Sequence, residues 1–143
     1  MIFKKQRTIK HILVVEDEPL VAFANEQMIK DCGYEVVATV DTAADAVAAI
    51  ESAEELDLVL ADLSLSDGSG VEVAEAAGRR NVAVLFVTGS FPGEHQHLAV
   101  GHLAKPYSDK MLKQAVEAVD ALMRGDRVKK VPDGLTLFVE AAA

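Results

Sequence analysis

Charged and hydroxyl-bearing side chains follow four of the short apolar runs in this sequence: Glu16 and Asp17 come after the first run, Asp62 after the third, Thr88 after the fourth and Lys105 after the fifth. Carboxylates held close together repel one another and favour a hard divalent cation such as Mg²⁺, which also binds phosphate oxygens. Beside such a cation, one carboxylate can attack a phosphoryl donor while an ammonium and a hydroxyl stabilise the transferred group. These residue types therefore indicate phosphoryl transfer to a carboxylate.

The elements that must position these side chains alternate along the chain. Five short apolar runs, rich in β-branched residues, predict strands at 11–15, 35–40, 56–61, 82–87 and 102–104. Amphipathic stretches between them predict helices, with Thr42 and Ser108 as N-caps and a short fourth helix near 91–100. Alternating strands and helices predict right-handed crossovers and a parallel sheet covered on both faces. In such sheets the functional crevice lies beyond the carboxyl ends of the strands, where the charged residues fall.

Four motifs in order resemble the receiver domains of two-component response regulators, across roughly residues 10 to 124. Each motif is similar to one in the family. Residues 12–19 resemble the first strand and its acidic pair, and 62–70 resemble the segment around the phosphoacceptor. Residues 87–89 resemble the hydroxyl signature and 105–107 the lysine signature. The resemblance implies an α/β flavodoxin-like fold, in which a five-stranded parallel sheet of order 2-1-3-4-5 is flanked by five helices.

The resemblance also implies a role for each residue of the set. Asp62 is expected to be the phosphoacceptor, and Thr88 and Lys105 are expected to contact the phosphoryl oxygens. The implied cofactor is Mg²⁺, with these expected ligands: Asp17, Asp62, Glu16 through water, and the backbone carbonyl of Ser64. Lys105-Pro106 is a candidate cis peptide. The family's known behaviour implies that the protein catalyses only its own phosphorylation and dephosphorylation and is not a turnover enzyme.

One position departs from the family pattern. A Tyr or Phe usually stands three residues before the lysine and reports on phosphorylation, whereas this chain has His102 there. We treat Thr88 and His102 as the candidate switch pair, and the substitution is either simply tolerated or alters how Thr88 is coupled to the surface. His95, His97 and His102 lie close in sequence, but with no cysteine among them they do not predict a zinc site.

The chain of 143 residues is expected to contain one folded domain. We divide it into an N-terminal basic extension (1–10), whose charged residues are expected to be solvated, a receiver domain (11–125) and a C-terminal tail (126–143). Residues 135–139 of the tail alternate partly like a strand. That segment either folds back onto the domain or pairs with a second chain as a homodimer contact.

Charge and hydropathy narrow the expected partners. The formal net charge of −9 disfavours direct nucleic-acid binding, and no apolar run is long enough to span a membrane. One cysteine and no secretion-like leader predict a cytoplasmic location. The expected partners are a histidine kinase or phosphotransfer protein and a downstream protein.

Alternative functions remain open at this stage. A phosphate sink or a shuttle between kinases would use the same residues as a signalling receiver. An aspartyl-phosphate phosphatase is a weaker alternative, because those enzymes carry a second Asp two residues after the nucleophile and this chain has Ser64. Flavin or nucleotide binding would require a glycine-rich phosphate loop after the first strand, and this sequence has no such loop there.

Overall fold

The computed structural model describes residues 7–89, 93–128 and 131–138. Its helices are α1 (Pro19–Asp31), α2 (Ala43–Ser52), α3 (Gly70–Arg79) and α4 (Asp109–Met123), with a 3₁₀ helix at Gly93–Leu98. Its strands are β1 (His11–Val15), β2 (Glu35–Val40), β3 (Leu58–Ala61), β4 (Ser64–Leu65), β5 (Gly68–Ser69), β6 (Ala83–Thr88), β7 (Gly101–Ala104) and β8 (Leu135–Leu137).

The main sheet has the order β2-β1-β3-β6-β7-β8. Its first five strands are parallel and correspond to the predicted 2-1-3-4-5 arrangement, which confirms the fold class. The predicted count of five strands is wrong by one, because β8 adds an antiparallel strand beside β7. Strands β4 and β5 form a separate two-stranded hairpin directly after β3.

Both faces of the central strands are buried, which explains why their sequences are almost entirely apolar. Alternate residues enter two separate cores: Ile12 and Val14 face α1 and α4, whereas Leu13 and Val15 face α2 and α3. Each of these four side chains is fully buried. Burying a side chain of this size contributes about 1.5–3 kcal/mol, so the strand pattern accounts for a large part of the folding energy.

Local capping explains where the helices begin. The side-chain oxygens of Thr42 and Ser108 accept hydrogen bonds from backbone amides three residues on, as predicted for N-caps. Pro19 occupies the first turn of α1, where a missing amide hydrogen carries no penalty. The predicted fourth helix is instead a 3₁₀ helix of six residues, and Phe91 and Pro92, which opened the predicted segment, lie outside the described residues.

The described part of the N-terminal extension packs against the domain through its apolar residue and backbone, while its charged side chains, Arg7 and Lys10, are exposed as expected. Ile9 is fully buried, and the amides of Thr8 and Ile9 both donate to a carboxylate oxygen of Asp120. The guanidinium of Arg7 lies 4.3 Å from the ring centroid of Tyr34. The limits of the three predicted segments nevertheless stay a prediction.

Candidate phosphoacceptor site

The backbone ladders of the sheet place the acids at its carboxyl edge. The amide of Glu16 donates to Val40, and that of Asp62 donates to Val15, so each ladder continues one residue beyond its strand. Glu16 and Asp62 thereby lie side by side after adjacent strands. Asp17 follows at the entrance of a cleft that Asp17, Asp62 and Ser64 line together.

Glycine at position 70 is required by the loop that follows Asp62. A Cβ atom at Gly70 would lie 2.2 Å from the backbone oxygen of Asp62, which no side chain tolerates. The amide of Gly70 also donates to Leu63 at 2.9 Å, so α3 begins directly against the phosphoacceptor candidate. The second glycine of the motif therefore fixes the position of the Asp62 backbone.

A single ammonium group joins the acids. The Nζ atom of Lys105 lies 2.7 Å from Oε1 of Glu16 and 2.9 Å from Oδ2 of Asp62. It also lies 3.2 Å from Oε2 of Glu18, an exposed side chain. The other oxygen of Asp62, Oδ1, accepts a hydrogen bond of 3.1 Å from the Ser64 amide. The carboxylate of Asp62 is thus held at both oxygens.

Burial and neighbouring charges shift the pKa values of Glu16 and Lys105. The side chains of Glu16 and Asp62 are almost inaccessible to solvent, at 0% and 8% exposed. Burial raises the pKa of the Glu16 carboxyl above its ordinary value, although Lys105 opposes this effect. Burial alone would lower the pKa of Lys105, but bonds and charges from Glu16 and Asp62 outweigh it and raise that pKa well above its usual range.

The acids also fit a divalent cation. Glu16, Asp17 and Asp62 each offer a carboxylate oxygen, and these three atoms lie within 4.8 Å of one another. An all-oxygen donor set beside a solvent-facing cleft is what Mg²⁺ prefers, since Mg²⁺ keeps several waters. Among the described residues, no comparable group includes His95, His97 or His102.

Thr88 and His102 meet through the backbone. Thr88 ends β6 and is buried, and its carbonyl oxygen accepts a hydrogen bond of 3.1 Å from the Lys105 amide. The Nε2 atom of His102, also buried, lies 3.2 Å from the same oxygen. The switch candidates are therefore neighbours, linked to the backbone of the lysine that contacts Asp62.

Sequence reasoning missed several residues that hold the site in place. The side-chain amide of buried Asn25 donates to the hydroxyl of Tyr107 at 2.9 Å and so connects α1 to the loop after Lys105. The peptide bond between Lys105 and Pro106 is cis, as predicted. Both Asp67 oxygens accept amides at the start of α2, Ala43 at 2.7 Å and Ala44 at 3.1 Å. The first two amides of α2, which the Thr42 cap does not bind, could have suggested an acceptor such as Asp67. Nothing local to Asn25 indicates a partner 82 residues away.

The comparisons with known proteins agree with this geometry. The family model described as "Response regulator receiver domain" matches residues 12–117, and the chain belongs to that family. The phyllosphere-induced regulator PhyR of Methylorubrum extorquens is 35% identical over 79 residues, covering 54% of this chain and 30% of that protein. The transcriptional regulatory protein PdtaR of Mycobacterium tuberculosis is 28% identical over 116 residues, covering 76% of this chain and 55% of that protein. The chain thus spans about a third to a half of the length of these curated relatives.

Solved structures show the same fold. A CheY-like receiver domain from Methanospirillum hungatei has a TM-score of 0.68 at 28% identity, covering 77% of this chain and 92% of that one. Response regulator TrrA from Thermotoga maritima, solved in complex with Mg(2+)-BeF, has a TM-score of 0.68 at 24% identity, covering 76% and 97%. At that identity the second likeness shows the fold alone. Within the described residues, no helix combines the length and apolar character needed to cross a membrane.

Proposed function

We propose that this receiver domain accepts a phosphoryl group on Asp62 from a histidine kinase or phosphotransfer protein and thereby changes its affinity for a downstream protein. The observation that carries the proposal is the Asp62 carboxylate, held between Lys105 at 2.9 Å and the Ser64 amide at 3.1 Å and bordered by two further acids. The proposed setting is the cytoplasm. In this role the chain catalyses only its own phosphorylation and dephosphorylation.

The chain's own groups orient the reaction. One oxygen of Asp62 forms a bond to phosphorus while the bond from phosphorus to the leaving group breaks, and the leaving group takes the electron pair. Lys105 supplies a positive charge next to the attacking oxygen, and the Thr88 hydroxyl is proposed to bind a phosphoryl oxygen once the group is transferred. Glu16, Asp17, Asp62 and the Ser64 carbonyl would hold Mg²⁺, which supplies charge neutralisation for the transferring group.

The exposed face of α1 suits a phosphodonor protein. Leu20 and Phe23 are 86% and 63% exposed, and their spacing places them on one side of the helix. Leu20 also lines the cleft that contains Asp62. Large apolar side chains beside a reactive group are typical of a protein contact. Replacing Phe23 with Ser should slow transfer from a protein donor but leave reaction with acetyl phosphate unchanged.

The proposal is tested by intact mass after incubation with acetyl phosphate and Mg²⁺. We expect a gain of one phosphoryl group that is absent after chelation of the metal and absent in Asp62→Asn. Asp67→Asn is the matched control, because it removes a carboxylate from the same loop without touching the acidic cluster. A phosphoryl gain in Asp62→Asn, or none in the wild type with acetyl phosphate or any kinase donor, would refute the assignment.

A further inference from the structure

The tail of the chain occupies the edge of the sheet next to the candidate switch. β8 pairs with β7 in antiparallel register, with Thr136 opposite His102. Flanking bonds extend the pairing, since the Phe138 amide donates to Val100 at 2.9 Å and the Ala104 amide donates to Gly134 at 3.0 Å. We call residues 134–138 the strap and the β7 edge from Val100 to Ala104 the slot.

The slot is shaped for a strand. A Cβ atom at Gly101 would lie 2.7 Å from the carbonyl oxygen of Thr136, so only glycine allows the strap to approach this closely. Leu135 is buried in the core that α1 and α4 share, while Thr136 is exposed. The strap thus inserts an apolar side chain inward and a polar one outward, which is the pattern of an edge strand.

The bonds that hold the strap share residues with the bonds that hold the site. Ala104, which binds the strap through its amide, directly precedes Lys105. The Lys105 amide and His102 Nε2 both contact the carbonyl oxygen of Thr88. His102 in turn lies opposite Thr136 of the strap. Lys105, which is expected to bind the phosphoryl group, is therefore adjacent in sequence to Ala104, which binds the strap. His102 contacts Thr88 and also lies opposite the strap.

A phosphoryl group on Asp62 would disturb these shared residues. The Lys105 ammonium lies 2.9 Å from Asp62 Oδ2, so a phosphoryl group on that oxygen would alter this contact. Lys105 and Thr88 would then reorient toward the phosphoryl oxygens. Both movements would act on the Thr88 carbonyl and on the peptide between Ala104 and Lys105, which are hydrogen-bonded to each other. The strap is bonded to the neighbouring peptide, between Leu103 and Ala104, because the Ala104 amide donates to Gly134.

We propose that the slot is a docking site for an extended segment of a partner protein, and that the strap occupies it until phosphorylation of Asp62 loosens it. The strap itself defines the chemistry of that partner. Its sequence, Gly-Leu-Thr-Leu-Phe, carries no charge and places one polar side chain, Thr136, between apolar ones. A partner segment of the same pattern would add to the sheet by backbone bonding and place an apolar side chain where Leu135 lies. This inference rests on the proposed function of Asp62.

Hydrogen exchange of the strap amides tests the inference in the intact protein. Thr136 and Phe138 amides should exchange slowly in the resting protein, because alternation of the antiparallel ladder directs both toward β7. With acetyl phosphate and Mg²⁺ we expect exchange at least tenfold faster, and no change in Asp62→Asn. Intact mass of the same samples reports the phosphorylated fraction.

The two measurements separate the possible failures. A phosphorylated protein whose strap exchanges at the same rate, or more slowly, would overturn this inference and leave the phosphoacceptor assignment standing. A protein that gains no phosphoryl group from any donor would overturn both.

A second experiment tests the slot as a binding site. A labelled peptide with the sequence of residues 133–138 should bind the phosphorylated protein at least tenfold more tightly than the unphosphorylated one. Thr136→Pro removes the strap's central amide donor and should allow the peptide to bind without phosphorylation, whereas Thr136→Val keeps the donor and should behave like the wild type. Equal peptide affinity in all of these states would refute the slot.

Discussion

Replacing Lys105 with Met should destabilise the metal-free protein substantially. The change keeps the side-chain length but removes the ammonium that lies 2.7 Å from Glu16 and 2.9 Å from Asp62. Removing one partner of a buried ion pair costs about 3–5 kcal/mol, because the remaining charge stays buried without compensation. The Lys105 side chain is 18% exposed, and the pKa of Glu16 is already raised by burial, so proton uptake relieves part of the cost. We therefore expect a loss of about 2–4 kcal/mol in the free energy of unfolding.

Urea denaturation at pH 7 in the presence of a chelator measures this loss. Glu18→Gln is the matched control, because it removes the exposed contact at 3.2 Å and should change stability by less than about 1 kcal/mol. Saturating Mg²⁺ should reduce the deficit of Lys105→Met, because a bound cation stabilises only the folded state and replaces the missing positive charge. A Lys105→Met variant as stable as Glu18→Gln without metal would show that the ammonium does not compensate the buried acids.

Three further predictions follow from single contacts. Asp17→Asn should weaken Mg²⁺ binding more than tenfold in calorimetric titration, and an unchanged affinity would exclude Asp17 as a ligand. Asp67→Asn should lower the melting temperature at neutral pH. The Ala43 amide, and to a smaller extent the Ala44 amide, hold the pKa of Asp67 below its ordinary value of 3.8. The stability that the Asp67 carboxylate contributes is therefore present above pH 3.8 and is lost as the pH falls through the lowered pKa. A deficit that persists in strong acid would refute the capping role. Tyr107→Phe should cost about 1–3 kcal/mol in urea denaturation by leaving buried Asn25 without its partner, and a matching apolar replacement of Asn25 in the double variant should recover part of that loss.

The parallel core could be predicted because its signals are local. The run 82–87 is apolar at every position, and the run 11–15 is apolar at every position except His11, as expected for strands buried on both faces. The caps at Thr42 and Ser108 are equally local, since each side chain binds an amide three residues away. The sixth strand was predicted only in part: the alternation at 135–139 indicates a strand, but it does not show whether the segment pairs with its own domain or with a second chain. Gly101 on β7 allows the close approach of β8, but a lone glycine in the sequence does not indicate which segment lies beside it.

The candidate site was likewise predictable only where its signals are local. Strand ends determine where Glu16 and Asp62 lie, so their meeting follows from strand order alone. The direction of each side chain does not follow from strand order. Glu18 is not among the predicted site residues, yet its carboxylate lies 3.2 Å from the Lys105 ammonium. His102 likewise shows its contact with the Thr88 carbonyl only in three dimensions.

The charges of the cluster impose an order on the reaction. Four carboxylates border the cleft or contact Lys105: those of Glu16, Asp17, Glu18 and Asp62. Among the described residues, Lys105 supplies the one ammonium group in contact with these acids. Phosphorylation replaces the single charge of the Asp62 carboxylate with the nearly two charges of the phosphoryl group, in a region that already carries a formal excess of three negative charges. Lys105 cannot balance that excess, because its single charge is already shared between Glu16 and Asp62. We therefore expect Asp62 to become phosphorylated only after a divalent cation has joined the acids, and raising the acetyl phosphate concentration should not substitute for Mg²⁺ in the chelated protein.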